Sequence, residues 1–465
     1  VNRGIFPFCK PYQSVVLSPD TLVEHLSPIV GADRVLPFSP LALAKPDQIA
    51  QVLRAEPCPT CIVYPHTRTE LAAIVAQADQ HQWRLLICGQ GSKLHWGGLM
   101  EQIDLLVSTQ DLNRVIDHAA GDLTVTAEAG VTLATLQQQL AKTQQFLALD
   151  PAYPDQATLG GLLATRDTGS WRHRYGSLRD MCLGMTLVRA DGQLAKAGGR
   201  VVKNVAGYDL MKLVTGSYGT LGVIAEVTLR LYPVPEFSTT VILSGSQRDI
   251  AALTHGILNS TLTPTAVDLL SGSALKPWHD SGELGLAVRL QSLPESVAEQ
   301  CDRILHQADA HGVLALTLGS TEESHFWQQI TQQFWQPPSP SALVCKLGVL
   351  PAQATPILTT LTAYCQQQGL TSRCRIHASS GTGVLRIDNE RLQQDPLAAV
   401  VWVQALRSHC QQAQGYLSVL EAPLVLKRAI DVWGYTGNAF QVMQSLKHQF
   451  DPKNILNPAC FVGGF

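Results

Sequence analysis

Between Lys203 and Glu226 the chain reads KNVAGYDLMKLVTGSYGTLGVIAE, with Gly207, Gly216, Gly219 and Gly222 set between an apolar helix pattern and an apolar strand pattern. Glycine loses more backbone entropy on folding than any other residue. A cluster of this kind therefore marks tight turns, or a ligand lying against the main chain. Two other segments are as rich in glycine: GQGSKLHWGG, starting at Gly89, and ATLGGLLATRDTG, starting at Ala157. None of the three is a dinucleotide G-x-G-x-x-G, because Leu94 stands where the third glycine would be, and no G-x-x-x-x-G-K-[ST] occurs. Consecutive N–H groups freed by glycine conformations can still cradle an anionic group without a cationic side chain. Three such loops, each at the edge of a strand or helix, point to one extended anionic ligand wrapped by backbone, with Ser92 able to add a hydroxyl donor.

At 465 residues the chain exceeds one ordinary core, so two domains with smaller appendages are expected. Hydrophobic residues make up 45% and charged residues 15%, which excludes a disordered chain. The formal net charge of −3 argues against non-specific nucleic-acid binding. Eleven cysteines are scattered from Cys9 to Cys460 and read as reduced thiols. The single C-x-x-C, Cys58 to Cys61, has no second pair at metal spacing and reads as small residues in a turn. No secretory pattern opens the sequence, and no apolar run approaches the roughly 20 residues of a membrane span. The expected location is cytoplasmic, with peripheral docking on a membrane through partners left open.

The pattern divides the chain into an extension over 1–44, a first domain over 45–235, a second over 236–440 and a tail over 441–465. In the first, Ile62 and Val63 start a strand that Pro65 ends. Leu71, Ile74, Val75 and Ala78 share a helical face, and Leu85 to Ile87 form a buried strand running into Gly89. Leu123 to Gly130 reads as a strand, and Leu133, Leu136 and Leu140 as a helix behind a Thr132 cap. Ala190-Asp191-Gly192 turns a hairpin. The step Pro233 to Pro235 marks the boundary, beyond which strands and amphipathic helices alternate.

The three glycine segments, the continuation GSWRHRYGSLRDMCLGMTLVRADG and the tail LKHQFDPKNILNPACF resemble the FAD-binding domain of the vanillyl-alcohol oxidase / p-cresol methylhydroxylase superfamily. Within it they are similar to the E subunits of glycolate oxidase (glycolate dehydrogenase). The resemblance spans roughly residues 60–235 and 446–461. It implies an α+β, two-domain fold of the p-cresol methylhydroxylase type: an FAD-binding domain with an α+β cap. It implies pyrophosphate contacts from Gly89, Gln90, Gly91, Ser92 and Leu94, further FAD contacts from Thr158, Gly160, Gly161, Ala164 and Gly176, and backbone contacts to the adenine side from Val223 and Ile224. Some members tether FAD through a histidine in the first loop. Here Ser92 holds that place and His95 follows three residues later, so non-covalent FAD is expected.

For chemistry beside the flavin, Lys203 is the candidate cation near the ring, or else a solvated lysine. Tyr208 is a candidate pocket wall, or else a packing tyrosine. Related catalytic dehydrogenases carry H-A-G-D-G-N-L-H where this chain reads HASSGTGVLR, keeping His377 and placing Arg386 at the second histidine. His377 reads as a catalytic base or a structural histidine, and Arg375 or Arg386 as the clamp on a substrate carboxylate. No metal site is expected from a lone histidine. RHRYGSLRD, from Arg172, reads as a phosphate contact or a solvated loop, and the tail as structural. The resemblance implies an FAD-dependent oxidoreductase component acting on small 2-hydroxyacids such as glycolate and passing electrons to flavoprotein and iron–sulfur partner subunits. The alternatives are a non-catalytic assembly subunit and a stand-alone flavin oxidase with an unrelated substrate.

Overall fold

The computed structural model describes residues 18–38, 52–53, 59–100, 102–200, 207–276, 278, 283–337, 339 and 341–465. The expected elements of the glycine-rich half are present. The strand Cys61–Val63 is followed by the helix Arg68–His81, which buries Leu71, Ile74, Val75 and Ala78 behind a Thr67 cap. The strand Leu85–Cys88 then runs into the first glycine loop. Thr132 caps the helix Leu133–Ala141 through its hydroxyl, 3.1 Å from Thr135 N. Each fully buried leucine on such faces contributes roughly 1.5–3 kcal/mol, so the apolar stripe rather than helix propensity holds these short helices in place.

Two larger sheets carry this half, beside a two-stranded pair of Gln145–Phe146 with Tyr232–Pro233. One has four strands in the order Val35–Pro37, Cys61–Val63, Leu105–Ser108, Leu85–Cys88, the last three parallel. The other is antiparallel, in the order Val115–Ala119, Thr124–Glu128, Val223–Arg230, Cys182–Val188, Leu194–Gly198. The tail returns to the first sheet. Leu85 N donates to Ile455 O at 2.7 Å, and Lys447 Nζ donates to Thr220 O and Leu456 O, each at 3.0 Å.

From Phe237 onward the chain builds one antiparallel sheet of eight strands. Their order is Leu314–Gly319, Phe237–Gly245, Leu284–Ser292, Ala266–Ser271, Thr371–His377, Thr382–Asp388, Ala342–Gly348, Tyr416–Glu421. Strand side chains alternate between faces. One face, with Cys374, Ile376, Leu385, Ile387, Leu343 and Leu347, packs beneath the helices Gln247–Leu258, Pro294–Ala310, Ala354–Gln367 and Pro396–Gln412. The opposite face, with Leu270, Val344 and Val384, meets the helix Ser320–Phe334 and Trp171 of the glycine-rich half. The same alternation puts Asp268, Arg375, His377 and Lys346 on that second face. The whole is a mixed α+β fold, as expected.

Candidate functional site

The three glycine loops converge on one cleft with roughly 800 Å³ of open space, against which eleven of the twelve expected cofactor contacts lie. Gly89, Gln90, Gly91, Ser92 and Leu94 form one wall, Thr158, Gly160, Gly161 and Ala164 another, and Val223 with Ile224 a third. Gly89 has no alternative: a Cβ there would collide with the Thr158 side chain. Gly91 holds φ at +77°, a left-handed conformation that other residues adopt only under strain. The N–H groups of Gln90, Gly91, Ser92 and Lys93 have no partner among the described residues, so a row of backbone donors faces the cleft. That is the arrangement a pyrophosphate requires, and the residues present fit FAD.

The twelfth expected contact, Gly176, lines neither this cleft nor the one described next. It ends the short helix Arg172–Tyr175 at φ +80°, with Asp180 beside it, so its glycine serves a turn. Tyr208 is likewise displaced. It stands 89% exposed, because the helix Leu210–Val214 that follows buries Met211 and Val214 and turns Tyr208 outward. The aromatic of that stretch that reaches the cleft is Tyr218. Lys203 lies outside the described residues. His95 is fully buried with Nε2 2.9 Å from Glu421 Oε1, away from the cleft, which leaves it no role as a tether.

Several cleft residues escaped sequence reasoning. Asn457, in the tail, accepts from Ile87 N at 2.7 Å and donates to Tyr218 O at 2.7 Å, tying two cleft walls together while lining the cleft itself. Lys93 is buried over Trp96, with Nζ 5.5 Å from the ring centroid and 2.8 Å from Asp167. Burial pushes the Lys93 ammonium below its ordinary value, against the pull of Asp167.

A second cleft of roughly 530 Å³ opens between the eight-stranded sheet and the glycine-rich half, and Trp96 borders both clefts. Here His377 and Arg375 come together, with Arg166, Arg172, Lys346, Asp150 and Asp167. Strand register sets Asp268 directly opposite His377, and Asp268 Oδ1 lies 2.7 Å from His377 Nδ1. Ser170, from the other half, donates to Asp268 Oδ2 at 2.5 Å. Burial alone would raise the Asp268 carboxyl, but His377, Arg375 and Ser170 together hold it below its ordinary value. An ionised Asp268 fixes the proton on Nδ1 and leaves Nε2 as the basic nitrogen.

Arg375 is 3% exposed and lies over the Phe334 ring, 5.4 Å from its centroid, and its Nε and Nη1 have no hydrogen-bond partner among the described residues. Arg386, its rival as the carboxylate clamp, is saturated. It donates to Asp388 from Nε at 3.0 Å and to Phe334 O from Nη1 at 3.2 Å, and it is absent from the cleft. Among the described residues no group of three or more His, Cys, Asp or Glu is placed to hold a metal ion, and no helix is long and apolar enough to cross a membrane.

A family model for an FAD binding domain matches residues 59–198. The chain is 26% identical over 280 residues to glycolate oxidase subunit GlcD of Bacillus subtilis, covering 58% of this chain and 59% of that protein. It is 35% identical over 168 residues to glycolate oxidase subunit GlcE of Escherichia coli, covering 36% of this chain and 47% of the relative. The match thus spans less than two thirds of either relative, and D- and E-type subunits both match. Among solved structures, p-cresol methylhydroxylase with substrate bound superposes with a TM-score of 0.72 at 15% identity, covering 94% of this chain and 96% of that one, a likeness of fold. The glycine loops, the donor row and the match of residues 59–198 to an FAD binding domain lead to one conclusion: FAD is the cofactor of this chain.

Proposed function

We propose that the chain is an FAD-dependent oxidoreductase for small 2-hydroxyacids, working as the E-type component of a glycolate-oxidising complex. The N–H groups of residues 90–93, on the wall of the first cleft, would hold the FAD pyrophosphate without a covalent tether. Bound FAD supplies the two-electron acceptor for the hydride of the substrate carbon. The observation that carries the reading is the pairing of an oriented base with an open guanidinium: His377, held by Asp268, beside Arg375. Arg375 takes the substrate carboxylate through two parallel hydrogen bonds. His377 Nε2 takes the hydroxyl proton as the carbon is oxidised, and the Ser170–Asp268 contact keeps the ring from rotating. Lys93, buried beside Trp96 where the clefts meet and paired with Asp167, would place a cation next to the bound cofactor. The chain hands its electrons on to flavoprotein and iron–sulfur partners in this reading; the relatives' names as subunits support assembly with other chains.

Anaerobic addition of glycolate to the FAD-loaded chain tests this. Bleaching of the flavin bands is expected. Flavin that stays oxidised with every hydroxyacid tried, in a chain that still co-purifies with other subunits, would assign an assembly role instead.

A further inference from the structure

The second cleft holds more positive charge than a single carboxylate needs. Arg166, Arg172, Lys346 and Arg375 line it, against only Asp150 and Asp167. Asp167 is engaged by Lys93 at 2.8 Å, and Asp150 Oδ1 accepts from Trp171 N at 3.0 Å. The cations form two poles. Arg375 acts on Asp150 and Asp268, beside His377, whereas Lys346 feels Asp167, Arg172, Arg166 and Lys93.

Strand register fixes how the poles are spaced. Lys346 pairs with Val384, and Val384 pairs with Arg375, so both cations leave the same face of the sheet. They are two strand spacings apart, about 10 Å at the backbone, with the cleft-lining Val384 between them. The Lys346 ammonium has no hydrogen bond or ion pair among the described residues, and burial pushes it below the ordinary value. Arg172 uses one nitrogen on Thr382 Oγ1, at 2.9 Å, and Arg166 stands exposed at the rim. A half-buried cation without a partner is costly, and an anion entering the cleft relieves it.

We infer that the ligand of this cleft is a dianion: a 2-hydroxyacid whose carboxylate meets Arg375 and whose far end carries a second anionic group, carboxylate or phosphate, held by Lys346 with Arg172 and Arg166. The inference rests on the 2-hydroxyacid reading for which end reacts. Val384 packs against the short apolar stretch between the two anions. A monoanion such as glycolate fills only the Arg375 pole.

The test uses non-oxidisable probes, so that binding is read apart from oxidation. The FAD-loaded chain is titrated calorimetrically with butyrate, glutarate and 4-phosphonobutyrate. At least one dianion is expected to bind about tenfold or more tightly than butyrate, the strength of one charge-assisted hydrogen bond. The tighter of the two identifies carboxylate or phosphate at the far pole. K346Q and R172Q, made separately and checked for full FAD content, are expected to bring that preference close to one. Equal affinity for all three probes, no binding of any, or a preference untouched in both variants overturns the inference. A dianion preference that persists while neither glycolate nor a 2-hydroxy diacid bleaches the flavin overturns the oxidoreductase reading instead and leaves the dianion site standing.

Discussion

The first cleft receives its ligand against main chain, through glycines and unpaired N–H groups, whereas the second is made of long charged side chains raised from a sheet. The two therefore respond to substitution in opposite ways. A backbone site tolerates no added volume and is indifferent to charge; a side-chain site tolerates volume at its rim and is governed by charge. Gly89→Ala gives the sharpest test of the first half of that statement. Its methyl group would collide with Thr158, which caps the helix Leu159–Thr165 through a 3.3 Å contact with Gly161 N. Relief requires moving one cleft wall. The expected outcome is a colourless protein that stays so after incubation with FAD, and overpacking lowers stability by roughly 1–3 kcal/mol. Retention of flavin at wild-type affinity, read from the visible spectrum after dialysis, would show that the cleft is not backbone-built.

The second cleft should break without losing its cofactor. Asp268→Asn keeps the shape but removes the charge that fixes the His377 tautomer. Flavin content should stay normal while the rate of anaerobic flavin reduction by substrate falls roughly a hundredfold or more, the scale of lost general-base catalysis. Stopped-flow bleaching reads this directly. A reduction rate within twofold of wild type would make His377 a structural histidine and leave Arg375 alone as the functional residue of the pair.

The same contrast governs what could be read from the chain before folding. Glycine clusters are local, so eleven of twelve cofactor-cleft positions were placed together from sequence and resemblance. Gly176 and Tyr208 lie apart from the clefts: a turn glycine and a cleft glycine look alike in one dimension, and Tyr208 precedes the helix Leu210–Val214 and points to solvent. The second cleft had no such local mark. Asp268 and His377 are 109 residues apart and meet only through strand register, and Lys346 aligns with Arg375 only through Val384. In the chain each of these is simply a polar residue alternating with apolar ones. Asn457 belongs to a tail whose sequence reads as structural, and only the return of that tail to Leu85–Cys88 brings it to the first cleft.

Glu421 joins the two regions and carries the smallest effect. It ends the last strand of the eight-stranded sheet. It accepts from His95 Nε2 at 2.9 Å, from Trp96 Nε1 at 3.4 Å and from the Tyr153 hydroxyl, while Lys427 holds the carbonyls of His95 and Gly97. The loop that lines the first cleft is thus fastened to the sheet that lines the second. Burial works to raise the Glu421 carboxyl, but His95, Tyr153 and Trp96 together hold it below its ordinary 4.5. A carboxyl depressed in the folded state contributes stability that is fully present above its unfolded value and is lost as pH falls through the folded one. Glu421→Gln should lower stability by roughly 1.5–3 kcal/mol at neutral pH. The gap to wild type should close as pH drops below 4.5, as read by thermal unfolding of the FAD-loaded chain. Equal acid sensitivity in both proteins would mean that the two clefts are held together by packing around Trp96 and Trp335, whose rings lie 5.5 Å apart, and that the charge is incidental to the joint.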